Sequence, residues 1–210
     1  MSTETLKTGT ALLSTLPGIK ADGKKRKGNA SKNKGKVGER EVADIFASAL
    51  GHPFQRIYCS GASVGRSNSY RLEQLTKGQG LSQLGDVMAA EYMANQFVLE
   101  CKNYADLDFH TLLLEKCSKQ LLGWYDEMQY DAESAITLLK GKKKPIFGAL
   151  CVKITRKGLW IVVDMGMLTN TLGHYTLPKP YLTFGPHETR EALKKEGWSG
   201  VLVMCELEPF

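Results

Sequence analysis

Gly85-Asp86-Val87, followed after an interval by Phe97-Val98-Leu99-Glu100-Cys101-Lys102, is the stretch on which the reading of this chain turns. Both pieces have the apolar content and turn-flanked boundaries of strands, expected over residues 85–92 and 96–103 with Asn95 as a turn residue between them. Side chains alternate along a strand, so Glu100 and Lys102 share one face and Cys101 takes the other. A hairpin between the two strands would set Asp86 beside Glu100. Two carboxylates and an ammonium group then converge at one end of a sheet.

That combination has a chemical meaning. Two adjacent carboxylates repel each other unless a cation lies between them. Mg²⁺ prefers oxygen ligands and keeps several waters, which suits two carboxylates, a main-chain carbonyl and a substrate phosphate. Such an ion lowers the pKa of a bound water and polarises a phosphoryl oxygen. A lysine alongside can neutralise charge developing at phosphorus. Cys101 would offer its backbone carbonyl, because its side chain faces away. The pattern therefore points to metal-assisted phosphodiester hydrolysis. Its plainer reading is a turn aspartate next to an exposed Glu–Lys pair worth little energetically.

Outward from this segment the chain alternates helix and strand. Val37, Val42, Ile45, Phe46, Ala49 and Leu50 recur at helical spacing from about Gly35, and Gly51-His52-Pro53 ends that helix. Residues 54–59 read as a strand. Residues 60–84 are rich in Gly, Ser, Asn and Gln and read as a long loop, with a short helix over 70–75; loops of that length are usually functional. A helix is expected over 109–128 and another over 132–139. Strands follow at 146–154 and 159–164, joined by a Thr155-Arg156-Lys157-Gly158 turn. After that come loops, a helix at 187–195 and a strand at 200–206. This order predicts an α/β (α+β) domain with a mixed sheet flanked by helices.

The charge is unevenly placed. Of the net +6 over 210 residues, residues 1–36 carry nine basic against two acidic groups, so +7 belongs to this arm and −1 to the body. Residues 1–33, including Lys24, Lys25, Arg26 and Lys27, are expected to be a flexible arm, either solvated or contacting phosphates. Residues 34–210 are expected to form one domain. No apolar run is long enough to span a membrane, and no secretory leader is evident. Five scattered cysteines without a C-x-x-C pair argue for reduced thiols in a cytosolic setting.

Asp86 followed by Glu100-Cys101-Lys102 resembles the D…(D/E)-x-K core of the PD-(D/E)XK nuclease superfamily. Lys34-Gly35-Lys36-Val37-Gly38-Glu39-Arg40-Glu41-Val42 is similar to the helix start of archaeal-type Holliday-junction resolvases, and phage relatives resemble residues 85–104. Arg56-Ile57-Tyr58-Cys59-Ser60-Gly61 resembles the strand and turn preceding the metal-binding Asp there. The likeness covers residues 34–165, the expected nuclease core, and leaves 166–210 as an extension without counterpart. It implies a restriction-endonuclease-like fold and a Mg²⁺-dependent DNA endonuclease, with Mn²⁺ able to substitute. In its sharpest form it implies a homodimeric resolvase of four-way junctions, in the cytoplasm (the host's, if phage-encoded).

The resemblance also implies roles. Asp86 and Glu100 match direct metal ligands, joined by the Cys101 carbonyl, and Glu39 matches a glutamate acting through a water. Lys102 matches the catalytic lysine, and Ser60 a serine near the scissile phosphate. Arg40 and Arg56 match residues at the DNA backbone, and Lys34 and Lys36 lie in the matching helix start. Gly85 replaces the usual Pro, and the loop before it is longer than in the archaeal proteins. Gln120 reads as a solvated helix position, Trp124 and Tyr125 as core or interface, and Lys142-Lys143-Lys144 as a candidate second phosphate contact. Two rivals remain. One is another endonuclease of this fold acting on ordinary duplex, whether restriction-like, nicking or repair. The other is a non-catalytic nucleic-acid-binding protein.

Overall fold

A computed structural model describes residues 28–58, 64, 66–90, 97–114, 118–139, 146–172 and 180–207. Residues 1–27, Ser60 and Lys142–Lys144 lie outside the described residues, and with them the expectations placed on Lys24, Lys25, Arg26 and Lys27. The described strands form a seven-stranded sheet in the order β1 (Phe54–Arg56), β2 (Val87–Ala89), β3 (Phe97–Tyr104), β4 (Phe147–Ile154), β5 (Gly158–Asp164), β7 (Leu202–Glu206), β6 (Tyr181–Phe184). The expected mixed α/β class holds: β3 and β4 are parallel, and the other neighbours are antiparallel.

Helix α1 (Gly28–Leu50) turns Val42, Ile45 and Phe46 into the core, as their spacing predicted. It begins at Gly28, earlier than Gly35, since nothing in Asn29–Gly35 interrupts propagation of a helix once nucleated. Gly51, at φ +67, ends it. Strand β1 (Phe54–Arg56) pairs with β2 (Val87–Ala89), which pairs with β3 (Phe97–Tyr104) through Val87 and Leu99. The segment read as a long loop holds a 3₁₀ helix (Arg66–Gln74) and helix α2 (Lys77–Leu81). Thr76 and Gln79 form a capping box that starts α2, a local signal the Gly and Gln content obscured.

The connection from β3 to β4 (Phe147–Ile154) carries α3 (Phe109–Leu113) and α4 (Lys119–Leu138). The single helix expected over 109–128 is therefore two, because Ser118 caps α4 by accepting the Leu121 N–H. The separate helix expected over 132–139 is the end of α4, with no breaker between Met128 and Ala132. Leu121, Trp124, Tyr125, Met128, Ala132 and Ala135 recur at three- and four-residue intervals and are buried; Trp124 and Tyr125 are thus core residues.

Strand β5 (Gly158–Asp164) forms the expected hairpin with β4. Beyond it lie α5 (Met165–Leu172), β6 (Tyr181–Phe184), α6 (Glu191–Lys195) and β7 (Leu202–Glu206). The loops expected after residue 164 are corrected by α5 and β6. Strand β7 pairs with β5, and β6 with β7, so these residues complete the sheet. Buried Asp164 ties the region together, accepting the N–H groups of Met167 (2.9 Å), Ser199 (2.9 Å) and Gly200 (2.7 Å).

Candidate active site

The β2–β3 hairpin does what its sequence predicted. The Asp86 N–H donates to the Leu99 carbonyl at 2.7 Å, and the Cys101 N–H donates to Asp86 Oδ2 at 2.9 Å. Asp86 is further fixed from β1, where the Ile57 N–H donates to its carbonyl at 2.8 Å. Gly85 makes this geometry possible. Its φ is +74, and a Cβ there would stand 2.8 Å from the Leu99 oxygen. Proline is confined to φ near −65°, so the residue usual at this motif position cannot occupy it here.

Alternation assigns the faces. Arg56 opposes Val87, and Val87 opposes Leu99, so these three side chains and Cys101 lie on the α1 side. Asp86, Glu100 and Lys102 point to the other side, beneath α4. There the Lys102 ammonium donates to Glu100 Oε1 at 2.7 Å and to Glu127 Oε2 at 2.6 Å. Asp131, one turn further along α4, accepts the Gly85 N–H at 2.8 Å. Glu127 and Asp131 were not singled out from sequence. Their signal was available as two acids at i and i+4 flanking the apolar stripe of α4, a spacing that also describes an ordinary solvated helix edge.

The electrostatics reflect acid crowding. Burial first, and then the charge of Asp86, push the Glu100 carboxyl up to about 8, against the pull of Lys102. Burial chiefly raises Asp131 to about 6, with the Gly85 N–H opposing and the charge of Asp86 adding. Burial works against the Lys102 ammonium, but Glu100 and Glu127 outweigh it and hold the group above its ordinary range. Lys102 is therefore a cation and a donor, not a base. The hydrogen bond with Cys151 and burial hold the Cys101 thiol well above its ordinary range, so its side chain is not a ready anionic ligand.

These residues fit a hard divalent cation. Asp86 and Glu100 are half-buried carboxyls on one face, and the ammonium beside them, Lys102, is shared between Glu100 and Glu127. In a strand the N–H and C=O of one residue face the same side, so the Cys101 carbonyl points toward Asp86, as its N–H does. Among the described residues no group of three or more His, Cys, Asp or Glu side chains is placed to hold a metal. Two carboxylates and one main-chain oxygen suit an ion that keeps several waters, as Mg²⁺ does.

Glu39 stands elsewhere. It is ion-paired with Arg56 on the α1 side of the sheet, both side chains being largely covered. Lys34, Lys36 and Arg40 are exposed on α1, and Gln120 is exposed on α4. Cys101, Cys151 and Cys205 are free thiols, and no described helix is long and apolar enough to cross a membrane.

Residues 30–198 match the family described as "Phage putative PDDEXK endonuclease". The chain belongs to that family. The match spans the hairpin, α4 and most of the segment after β5, residues 166–198 included. No curated protein and no solved structure matches the chain.

Proposed function

We propose that this chain is a metal-dependent DNA endonuclease whose centre is Asp86, Glu100 and Lys102. The observation that carries the reading is that the Asp86 carboxylate accepts the Cys101 N–H while the half-buried Glu100 carboxyl, on the same face, accepts from the Lys102 ammonium group. Asp86, Glu100 and the Cys101 carbonyl would hold Mg²⁺, or Mn²⁺ in its place. When bound, that ion polarises the phosphoryl oxygen and lowers the pKa of water.

The protein's own contribution is positioning and charge. Gly85, Leu99 and Ile57 fix the backbone at Asp86, so its carboxylate is preorganised. Lys102 stays protonated and donates toward charge developing on the phosphate, which is worth most where water is excluded. Glu39, on the face opposite Asp86 and Glu100, would act through Arg56, orienting it toward the DNA backbone. Arg40, Lys34 and Lys36 contact phosphates, and Ser60 lies near the scissile one. The most specific version is a homodimeric Holliday-junction resolvase, since two symmetric nicks call for two related centres. It is supported by the likeness of residues 34–42 to the resolvase helix start.

The test compares cleavage of a four-way junction, a fork and linear duplex of the same sequence in Mg²⁺, beside Lys102→Ala. The resolvase reading expects the junction to be cut far faster than duplex, and Lys102→Ala to cut none. Equal cleavage of all three would leave a nuclease without junction selectivity. Undiminished cutting by Lys102→Ala would remove the proposed centre.

A further inference from the structure

Four buried side-chain polar atoms lack a hydrogen-bond partner among the described residues: Asn103 Oδ1, Tyr125 OH, His187 Nε2 and Arg190 Nε. Buried polar groups are normally paired, because an unpaired one costs its desolvation. Three of these four belong to residues that line a single cavity of about 430 Å³. It lies between α4 and the segment leading into α6, bordered also by Leu122, Gln129 and Thr189. Gln129 stands two residues from both Glu127 and Asp131, about 200° round the helix at 3.6 residues per turn. The cavity is therefore on the flank of α4 turned away from Lys102, apart from the carboxyls of the proposed metal site.

The walls are held in place by backbone contacts. Gln129 Nε2 donates to the Glu188 carbonyl at 3.4 Å, and Gln129 Oε1 accepts the Arg190 N–H at 3.2 Å. The His187 N–H donates to the Gly200 carbonyl at 2.8 Å. Arg190 engages its terminal nitrogens with Glu133 at 3.1 Å and Asp126 at 3.0 Å, so its Nε–H is the donor left over. Asp126 and Glu188 border the cavity, and Glu133 pairs with its arginine, which makes three acids to one base. Burial holds the His187 imidazole below its ordinary range and so toward its neutral form. An anion would meet this excess of acids. A cation with donors alone would leave the Arg190 Nε–H unanswered. A polyol would need more polar partners than these three. A flat, uncharged ring compound with donors and acceptors at its edge fits, because Leu122 and the Tyr125 and His187 rings supply apolar wall.

We propose that the cavity between α4 and residues 187–190 binds an uncharged nucleobase, as the free nucleoside, through Tyr125, His187 and Arg190. The Arg190 Nε–H donates to a ring nitrogen or carbonyl of the base. The Tyr125 hydroxyl, which can donate and accept, and His187 Nε2 take neighbouring edge atoms. The volume is at the small end of ligand sites, which span roughly 300–1,000 Å³, as suits a ligand of one or two rings. The acids at the rim disfavour a phosphorylated form. The choice of a nucleobase among flat heteroaromatics rests on the nuclease reading, which makes nucleic-acid components the chemistry at hand; the cavity and its unpaired atoms do not depend on it.

The experiment is equilibrium dialysis of the full chain in EDTA against the four 2′-deoxynucleosides and their 5′-monophosphates, beside Tyr125→Phe and, as a control on β6, Tyr181→Phe. At least one deoxynucleoside is expected to bind with a Kd of about 1 mM or tighter, and its monophosphate roughly 10-fold more weakly. Tyr125→Phe deletes only a hydroxyl without a partner, so the unliganded variant is expected to melt no lower than the wild type. It is expected to bind the deoxynucleoside roughly 3- to 10-fold more weakly, the worth of one hydrogen bond, while Tyr181→Phe binds as the wild type does. A melting point held while affinity falls separates a ligand contact from a folding defect. Absence of deoxynucleoside binding, equal binding of the monophosphate, or wild-type affinity in Tyr125→Phe overturns the proposal. Deoxynucleoside binding by a protein that cuts no DNA would sustain the pocket and sink the nuclease reading.

Discussion

Glu100→Gln tests the carboxylate pair without any assay of activity. Burial and Asp86 raise the folded Glu100 from an ordinary 4.5 to about 8. A carboxyl raised in this way binds its proton more tightly in the folded state, so folding is progressively disfavoured as pH climbs from about 4.5 to about 8. Each pH unit is worth about 1.4 kcal/mol, so between 4.5 and about 8 the loss approaches about 5 kcal/mol. Only 13% of the side chain is exposed, which limits screening by solvent. Glutamine keeps the shape and cannot ionise, and Lys102 retains Glu127. Urea unfolding in EDTA should therefore find the two proteins similar near pH 5, and Glu100→Gln more stable by a few kcal/mol near pH 8. Mg²⁺ should then recover stability at pH 8 in the wild type alone, because an ion that binds only the folded form stabilises it. Parallel stability curves across that window would refute the crowding of Asp86 and Glu100.

Three further perturbations probe the surroundings. Gly85→Pro restores the usual motif residue but cannot adopt φ +74 and removes the donor to Asp131, so chemical unfolding should show a loss of about 3 kcal/mol or more. Asp164→Ala strands three backbone N–H donors beneath α5 and should also cost about 3 kcal/mol or more by the same measurement. Glu39→Gln weakens the hold on Arg56, and because a hydrogen bond to a charged group is worth about 1.5–3 kcal/mol it should lower the cleavage rate by roughly 10-fold or more. A rate indistinguishable from wild type would leave Glu39 a helix residue with a structural ion pair.

The hairpin was legible because a strand's two-residue period and a short connection suffice to bring Asp86 to Glu100. The boundary of α4 was not, since the Ser118 cap is a single hydroxyl among residues that otherwise continue an apolar pattern. Strand β6 escaped notice for a related reason. It has four residues, is mostly solvent-facing on alternate positions, and gains its place only by pairing with β7. The acids of α4 were visible but ambiguous, because Glu127 and Asp131 acquire meaning only when the sheet sets Lys102 and Gly85 beneath them. The sidedness of the site was also out of reach. Sequence placed Glu39 in the acidic cluster by likeness, whereas register sets its partner Arg56 on the face opposite Glu100.

The most direct measurement of the central claim is DNA cleavage by the wild type and Asp86→Asn, each assayed with Mg²⁺ and with EDTA, alongside DNA binding by both proteins. Cutting by the wild type in Mg²⁺ only, none by Asp86→Asn, and binding by both are expected. Cleavage by Asp86→Asn at the wild-type rate, or cleavage that persists in EDTA, would contradict it.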